Sequence, residues 1–443
     1  MRYHARWVLP ITQPPIENAT VVERDGVITY VGPRANAPAG DDYELGESIL
    51  LPGLVNVHTH LELTAMRGFL EDCSFASWID KLRQSRNETM DEQMLLDSAR
   101  LGILEGLEAG ITTFADTCSS GVVITAFSEL GVRGIMYQEV FGPDPAHCAA
   151  AMKELETRVD ALRKCETDLV TLGVSPHAPY TVSDQLYAAA ARFASSEDLP
   201  IAAHIAESGP EMDIVVRGQG DFADRWRKRG IAVASRARSP IQLLDKHGVL
   251  ERGPLLIHCV RVDSTDIDIM ARHRCAVAHC PASNAKFGHG IAPLLPMIAA
   301  GIRVGMGSDS VASNNRMDIL DEARLAVLIH RAATQRHDAF GAHEALELAT
   351  IGGARALGID SRAGSLEVGK DADLAAFSVD IARTTPLGDP YSAAIFALPG
   401  RSARLVAVRG KVLVENGRAR AWDQSLAERV RKTGAALASR VLA

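Results

Sequence analysis

No apolar stretch in the 443 residues is long enough to cross a bilayer as a helix, and no low-complexity tract interrupts the chain. With 47% hydrophobic and 23% charged residues, the composition is that of an ordered, soluble globular protein, which excludes disorder and membrane insertion. An excess of positive charge is also missing. A net charge of -8 argues against affinity built on neutralising phosphates, so nucleic acid is not an expected partner. Cysteine is sparse: seven residues scatter from Cys73 to Cys280 without a Cys-x-x-Cys pair, which fits reduced thiols and excludes a cysteine-ligated zinc. The His-x-Glu plus Pro-Cys-x-x-Cys pattern of one class of zinc base deaminases is absent as well. In "MRYHARWVLPITQPP" the apolar stretch is broken at Pro10, too soon for a signal peptide, so a cytoplasmic protein is expected. Finally, "GSLEVGKD" (364–371) imitates a phosphate-binding loop but has Asp371 where Ser or Thr belongs, and a strand-like "ADLAAF" follows it.

What is present is a rhythm. From 56 to about 310, eight β-rich apolar runs alternate with helical patterns: "VNVHTH", "ITTFADT", "RGIMYQEVF", "LVTLGVSPH", "PIAAHIAES", "LLIHCVR", "CAVAHCP" and "RVGMGSDS". Eight such units predict a closed (β/α)8 TIM barrel, here over 56–363. Leu96, Ala99, Ile103 and Leu107 recur at helical spacing as core positions of the first helix. Ser264 or Thr265 is the expected N-cap of a later one. Residues 1–55, with a turn at Asp25-Gly26, and 364–425 are β-rich, and their two segments are expected to pair into a small β-sandwich, closed by a helix over 426–443. Between runs five and six, "RWRKRG" reads as a solvated basic face.

Barrel active sites lie where the strands end, so every polar residue ending a run faces one shared mouth. Run one ends in His58 and His60, side by side at i and i+2. Run four ends in His177, run five in His204 followed by Glu207, run six in His258, run seven in His279 and run eight in Asp309. Singly, each of these reads as a hydrogen-bonded structural residue. Together they fit one divalent metal centre of three neutral imidazoles and one carboxylate with a position left for water. Such an ion lowers the pKa of water from about 15.7 toward ~7, and Glu207, three residues beyond His204, is placed to move protons.

The stretches "LPGLVNVHTHLEL", "HAPYTVS", "HIAES", "IHCVRVD", "AHCPASNAKFGHGIAPL" and "GMGSDSVASNN" resemble the amidohydrolase superfamily, in particular its metal-dependent deaminases and chlorohydrolases of purine and triazine rings. The resemblance implies that His58, His60, His204 and Asp309 bind the metal, Glu207 shuttles protons and His258 orients or polarises the attacking water. It also implies a hydrolase acting on a cyclic amidine C–N bond. Two-metal relatives bridge their ions with a carboxylated lysine, and runs three and four contain no lysine, so one metal per chain is expected. Zinc suits three nitrogens and one oxygen, and iron or manganese also occupy such sites. "CSFASWIDKL" and "RARSPIQLLDKHGVL" look like the branch that deaminates aminodeoxyfutalosine, an adenine nucleoside of the alternative menaquinone route. Methylthioadenosine and adenosylhomocysteine deaminases share the catalytic set. So do hydrolases of guanine, triazines or amides, and a non-catalytic metal-binding member is the alternative of another class. His177 resembles a substrate-contacting histidine, and Trp78 is placed either to stack on a small-molecule substrate or to join the core. An exposed sandwich or barrel edge can support a homodimer.

Overall fold

The computed structural model describes residues 1–441, so the last two residues of the expected C-terminal helix lie outside the described residues. The chain opens with four strands, β1 (Arg2–Val8), β2 (Ile16–Arg24), β3 (Val27–Pro33) and β4 (Asp42–Pro52). The β2–β3 turn is the expected one: Asp25 and Gly26 both have positive φ (52° and 81°), the handedness a two-residue hairpin needs.

The eight expected runs then form eight parallel strands: β5 (Leu54–Thr59), β6 (Ile111–Cys118), β7 (Arg133–Val140), β8 (Val170–Pro176), β9 (Ala202–Ile205), β10 (Leu255–His258), β11 (Ala276–His279) and β12 (Arg303–Met306). They pair in chain order as β5 to β8 and β9 to β12. Two bridges close the ring, Val174 with Ile201 and Thr59 with Asp309, the second carried by a 2.9 Å bond from Asp309 N to His58 O. Side chains are buried on both faces of β5 and β6, as a strand between barrel interior and outer helices requires. Ala99, Ile103 and Leu107 are core residues of the helix Glu92–Glu108, as expected. Leu96 is only half-buried, because Leu95 takes the inward position instead. The helix Ser264–Arg272 is capped by Asp263, whose carboxylate accepts from Asp266 N at 2.9 Å, and not by Ser264 or Thr265.

Four more strands follow, β13 (Leu374–Ser378), β14 (Leu405–Val408), β15 (Lys411–Glu415) and β16 (Arg418–Ala419). The chain ends do pair, as one eight-stranded sheet in the order β16-β15-β14-β13-β4-β1-β2-β3. At its centre β4 lies parallel to β1 and antiparallel to β13. The sandwich is thus a single mixed sheet curled over its own core of Tyr3, Val21, Ile28, Leu45, Leu374 and Leu405. Its far edge returns through Ile28 N to Lys370 O (2.8 Å) and Ala372 N to Gly26 O (2.8 Å).

One residue, Gly53, separates this sheet from barrel strand β5, and a Cβ there would fall 2.1 Å from Thr112 Oγ1, so only glycine allows the two layers to meet. The sheet therefore sits at the foot of the barrel. The terminal helix Gln424–Val441 packs on the other side, where Arg429 reaches Asp97 (2.7 Å) and Arg440 reaches Glu88 (2.9 Å). Those partners belong to the helices Phe75–Thr89 and Glu92–Glu108, of which the first walls the mouth. No described helix is long and apolar enough to cross a membrane.

Candidate metal centre and active-site cavity

The C-terminal ends of the strands bring His58, His60, His204 and Asp309 into one cluster. Ring centroids lie 4.9 Å apart for His58 and His60, 4.9 Å for His58 and His204, and 5.2 Å for His60 and His204. Asp309 Oδ1 stands 3.2 Å from His58 Nε2 and 3.6 Å from His60 Nε2. His58 is 1% exposed and His204 4%.

The protons on these rings can be placed from their partners. His60 Nδ1 donates to Thr117 O (3.0 Å) and His204 Nδ1 to His177 O (3.3 Å), since a carbonyl only accepts. Burial lowers the pKa of His58, His60 and His204, with neighbouring imidazoles adding to the effect, so the rings are neutral, and with Nδ1 donating, the Nε2 atoms of His60 and His204 carry lone pairs. The Nε2 atoms of His60 and His204 then face each other at 3.2 Å with no hydrogen between them. His58 Nε2 is buried without a hydrogen-bond partner. Converging lone pairs in a dry site repel unless a cation lies among them, so the donor set fits a divalent metal. Asp309 completes it. Burial works against its ionised form, but the facing His58, His258 and His60 hold its carboxyl well below the usual range. Ser283 and Ser313 steady Asp309 Oδ2 at 2.6 and 2.9 Å, the supporting shell that metal ligands require.

Glu207, 3% exposed, stands beside the cluster with Oε1 3.5 Å from His258 Nε2 and 3.4 Å from His289 Nε2. His258 is fixed in turn by Asn284, whose Oδ1 accepts from its Nδ1 at 3.0 Å and leaves Nε2 as an acceptor toward the mouth. Glu211 anchors the turn that presents Glu207 by accepting from the amides of Ala206 (2.7 Å) and Glu207 (2.8 Å). Burial pushes the Glu211 carboxyl up to about 8. Ala206, His258 and Asp309 all have left-handed backbone, with φ of 51°, 76° and 57°. Such strain at three strand ends is tolerated where it aims functional side chains.

A cavity of about 1060 Å³ runs outward from this centre. Of the remaining expected residues, His177 and Trp78 both line it. Trp78 also joins the core: its ring lies 6.3 Å from Phe75 and 5.0 Å from Phe287, so both of its expected roles meet in one side chain. His279 is not part of the site. It is buried against His330, ring centroids 5.6 Å apart, because its side chain faces the outer helix Ile319–Thr334 that carries His330. "RWRKRG" is not simply a solvated face: Trp226 is buried with Nε1 on Tyr180 O (2.9 Å), Arg225 pairs with Asp80, and Lys228 and Arg229 line the cavity mouth. Arg83 joins them. Among the described residues, Arg83, Lys228 and Arg229 have no acidic partner.

His289, Glu211, Asn284 and the pair of buried wall carboxylates Glu62 and Glu139 escape the reading of strand ends. His289 and Asn284 stand within the motif "AHCPASNAKFGHG", yet they follow a strand instead of ending one, so periodicity cannot aim them. Burial raises the Glu139 carboxyl well above its ordinary range. For Glu62 burial is outweighed by Arg86 and by bonds from Ser120, Cys118 and Ser119, which leave it low.

Residues 49–413 match the amidohydrolase family. A 5-methylthioadenosine/S-adenosylhomocysteine deaminase of Moorella thermoacetica is 30% identical over 94% of this chain and 94% of its own. An adenosine deaminase of Xanthomonas campestris, whose crystal structure holds bound zinc, superposes with a TM-score of 0.88 at 27% identity, covering 99% of this chain and 98% of that one. The Helicobacter pylori aminofutalosine deaminase, solved with methylthio-coformycin, shares the fold with a TM-score of 0.82 at 20% identity, over 93% of this chain and 100% of that one.

Proposed function

Because this chain belongs to the amidohydrolase family, we propose that it is a metal-dependent deaminase of an adenine nucleoside, favouring one whose 5′ substituent carries a carboxylate, with aminodeoxyfutalosine the preferred candidate. The observation that carries the reading is the joined set of His58, His60, His204 and Asp309 with Glu207 poised beside it, in a chain similar along its length to nucleoside deaminases. Support for an anionic 5′ group comes from the outer cavity, where Arg83, Lys228 and Arg229 stand in the lining without an acidic partner among the described residues.

When bound, one divalent ion, zinc by its donor set, makes hydroxide available near neutral pH by lowering the pKa of water toward ~7. The rest is done by the chain. Glu207 takes a proton from the attacking water and gives it to the ring nitrogen beside the carbon under attack. His258, its Nδ1 proton held by Asn284, accepts from the water through Nε2 and sets its direction. Asp309, steadied by Ser283 and Ser313, receives the second proton and passes it to the amino group. The C–N bond breaks, ammonia leaves, and the oxygen remains on the ring as an oxo group.

The second reading is a methylthioadenosine or adenosylhomocysteine deaminase, favoured by the relative at 30% identity. Ammonia release, with the adenine-to-hypoxanthine absorbance change, is measured for the metal-loaded protein on aminodeoxyfutalosine, methylthioadenosine, adenosylhomocysteine and adenosine. Fastest turnover of aminodeoxyfutalosine supports the preferred substrate. Preference for methylthioadenosine, which has no carboxylate, removes the argument from the basic mouth. Silence on all four with metal bound overturns the nucleoside reading and points to guanine, triazines or amides.

A further inference from the structure

A second cavity, of about 300 Å³, lies between the segment that follows β11 and the outer helix Ile319–Thr334, and it shares no lining residue with the cavity of the mouth. Its buried lining includes His279 (1% exposed), Asn284 (1%) and His330 (4%), and its more exposed lining includes Ile291 and Ile329. Both ring nitrogens of His279, His330 Nε2 and Asn284 Nδ2 are buried without a hydrogen-bond partner. Polar atoms left in this state are costly unless a bound molecule supplies the partner. Four of them on three side chains of one cavity ask for a common one.

The lining narrows the class of that molecule. It contains no Asp, Glu, Lys or Arg, and burial keeps His279 and His330 neutral by lowering their pKa values, so an ion would enter without a counter-charge. Two imidazoles with no carboxylate or thiolate beside them are also too few to close a divalent-metal site. Asn284 Oδ1 is taken by His258 Nδ1 (3.0 Å), which leaves the amide nitrogen to donate. A neutral imidazole has one N–H and one lone pair, so His279 adds an acceptor, and with neither nitrogen held its ring has no polar contact to give up. The complementary edge is a carbonyl oxygen beside an N–H. Water can satisfy the polar atoms but gains nothing from the two isoleucines. A cavity of about 150 Å³ admits benzene, and twice that volume admits two fused rings.

We propose that this second cavity is an effector site for an uncharged two-ring lactam, held by Asn284 and His279, and that Asn284 relays its occupancy to His258 at the mouth. A ligand carbonyl on Asn284 Nδ2 polarises the amide whose oxygen holds the His258 Nδ1 proton, so one side chain touches both cavities' chemistry. The probe is 2-quinolinone, which carries the N–H and C=O edge, titrated by calorimetry into the metal-loaded wild type, Ile329→Trp, which fills the rim, and His279→Leu, which removes the acceptor. One site per chain is expected in the wild type, at least about tenfold weaker in both variants. The relay is read as a change of at least about twofold in kcat on the best substrate of the panel and as a shift of the His258 ring-nitrogen NMR signals, both absent from Ile329→Trp. No binding up to the solubility limit of the probe overturns the site and leaves the cavity to water. Equal affinity in Ile329→Trp overturns it as well, since the probe then sits elsewhere. Binding that leaves kcat and the His258 signals unmoved overturns the relay. If no nucleoside is turned over, the deaminase reading fails, while calorimetry and the His258 signals still decide this one.

Discussion

The foot and the mouth of the barrel both bury charged and polar groups, and they treat them in opposite ways. At the foot Arg133, 4% exposed, gives Nε to Asp373 (2.9 Å) and Nη2 to Asp371 (2.7 Å). Arg362 adds a second cation on Asp371, and Arg409 N supplies the other oxygen of Asp373 at 2.9 Å. Each carboxylate there has donors from two directions, and the network fastens the terminal sheet to β7. At the mouth, His58 Nε2, His289 Nε2 and Glu139 Oε1 are buried with no hydrogen-bond partner, and three neighbouring backbones are strained. A fold that can satisfy Arg133 so fully is able to satisfy buried polar groups. The open groups at the mouth converge on one cavity, which suits them to a ligand the chain itself does not supply.

The comparison is broken most severely at the proposed metal ligands. His204→Ala removes one of the converging lone pairs, and both bound metal and ammonia release are expected to fall to background, read by elemental analysis and by the deaminase assay. A metal-replete, active variant would show that the cluster is structural, like the foot.

Glu207→Gln sharpens the contrast within the mouth. It keeps the shape of a residue beside the donor set while removing proton transfer, so metal content should match the wild type as kcat falls about 10³-fold. Loss of metal instead would place Glu207 among the ligands.

At the foot, Arg133→Met should leave activity per folded molecule unchanged while costing about 3–5 kcal/mol of stability, because two aspartates are left buried without their shared cation. Urea unfolding measures this. A variant as stable as the wild type would mean that Arg362 and Arg409 suffice to hold the sheet.

The smallest effect tests a buried histidine that belongs to neither place. Burial, reinforced by His330, lowers the pKa of His279 to about 3. As pH falls through about 6.5 the unfolded chain takes up a proton that the folded chain refuses until near 3, so stability drains away across that window by about 1.4 kcal/mol per pH unit for this group. His279→Leu should flatten the stability profile between pH 6.5 and 5 by that slope. An unchanged slope would assign the acid sensitivity to other groups.

Much of this could be read before any coordinates. The runs of the barrel are continuous apolar segments because both faces of each strand are covered, and the residues that end them announce themselves as polar interruptions. His58, His60, His204, His258 and Asp309 were legible for that reason. The same rule overreached at His279, which ends a run in the sequence and yet turns away in space. It also missed Glu139, which stands two residues before the end of its run, because nothing in "YQEVF" distinguishes a carboxylate with partners from one without. The basic segment after β9 is exposed at Arg227, Lys228 and Arg229 as a solvated face should be, but charge density says nothing about which way a helix faces. Trp226 anchors Asp221–Lys228 through Tyr180 O, and its neighbours are thereby turned toward the cavity.

By itself, the sequence determined the eight-unit barrel and the ring of histidines and carboxylates at its mouth, because parallel strands of one barrel all end at the same face and local order along the chain is enough to bring their ends together. Only the tertiary structure decided which imidazole nitrogens carry protons, which buried carboxylates have partners to spare, and which loop cations overlook the cavity. Those properties depend on groups far apart in the chain, such as Glu62 with Arg86, His60 with Thr117 O and Asp371 with Arg133, and hydrogen bonds between such residues are set by packing that no local pattern encodes.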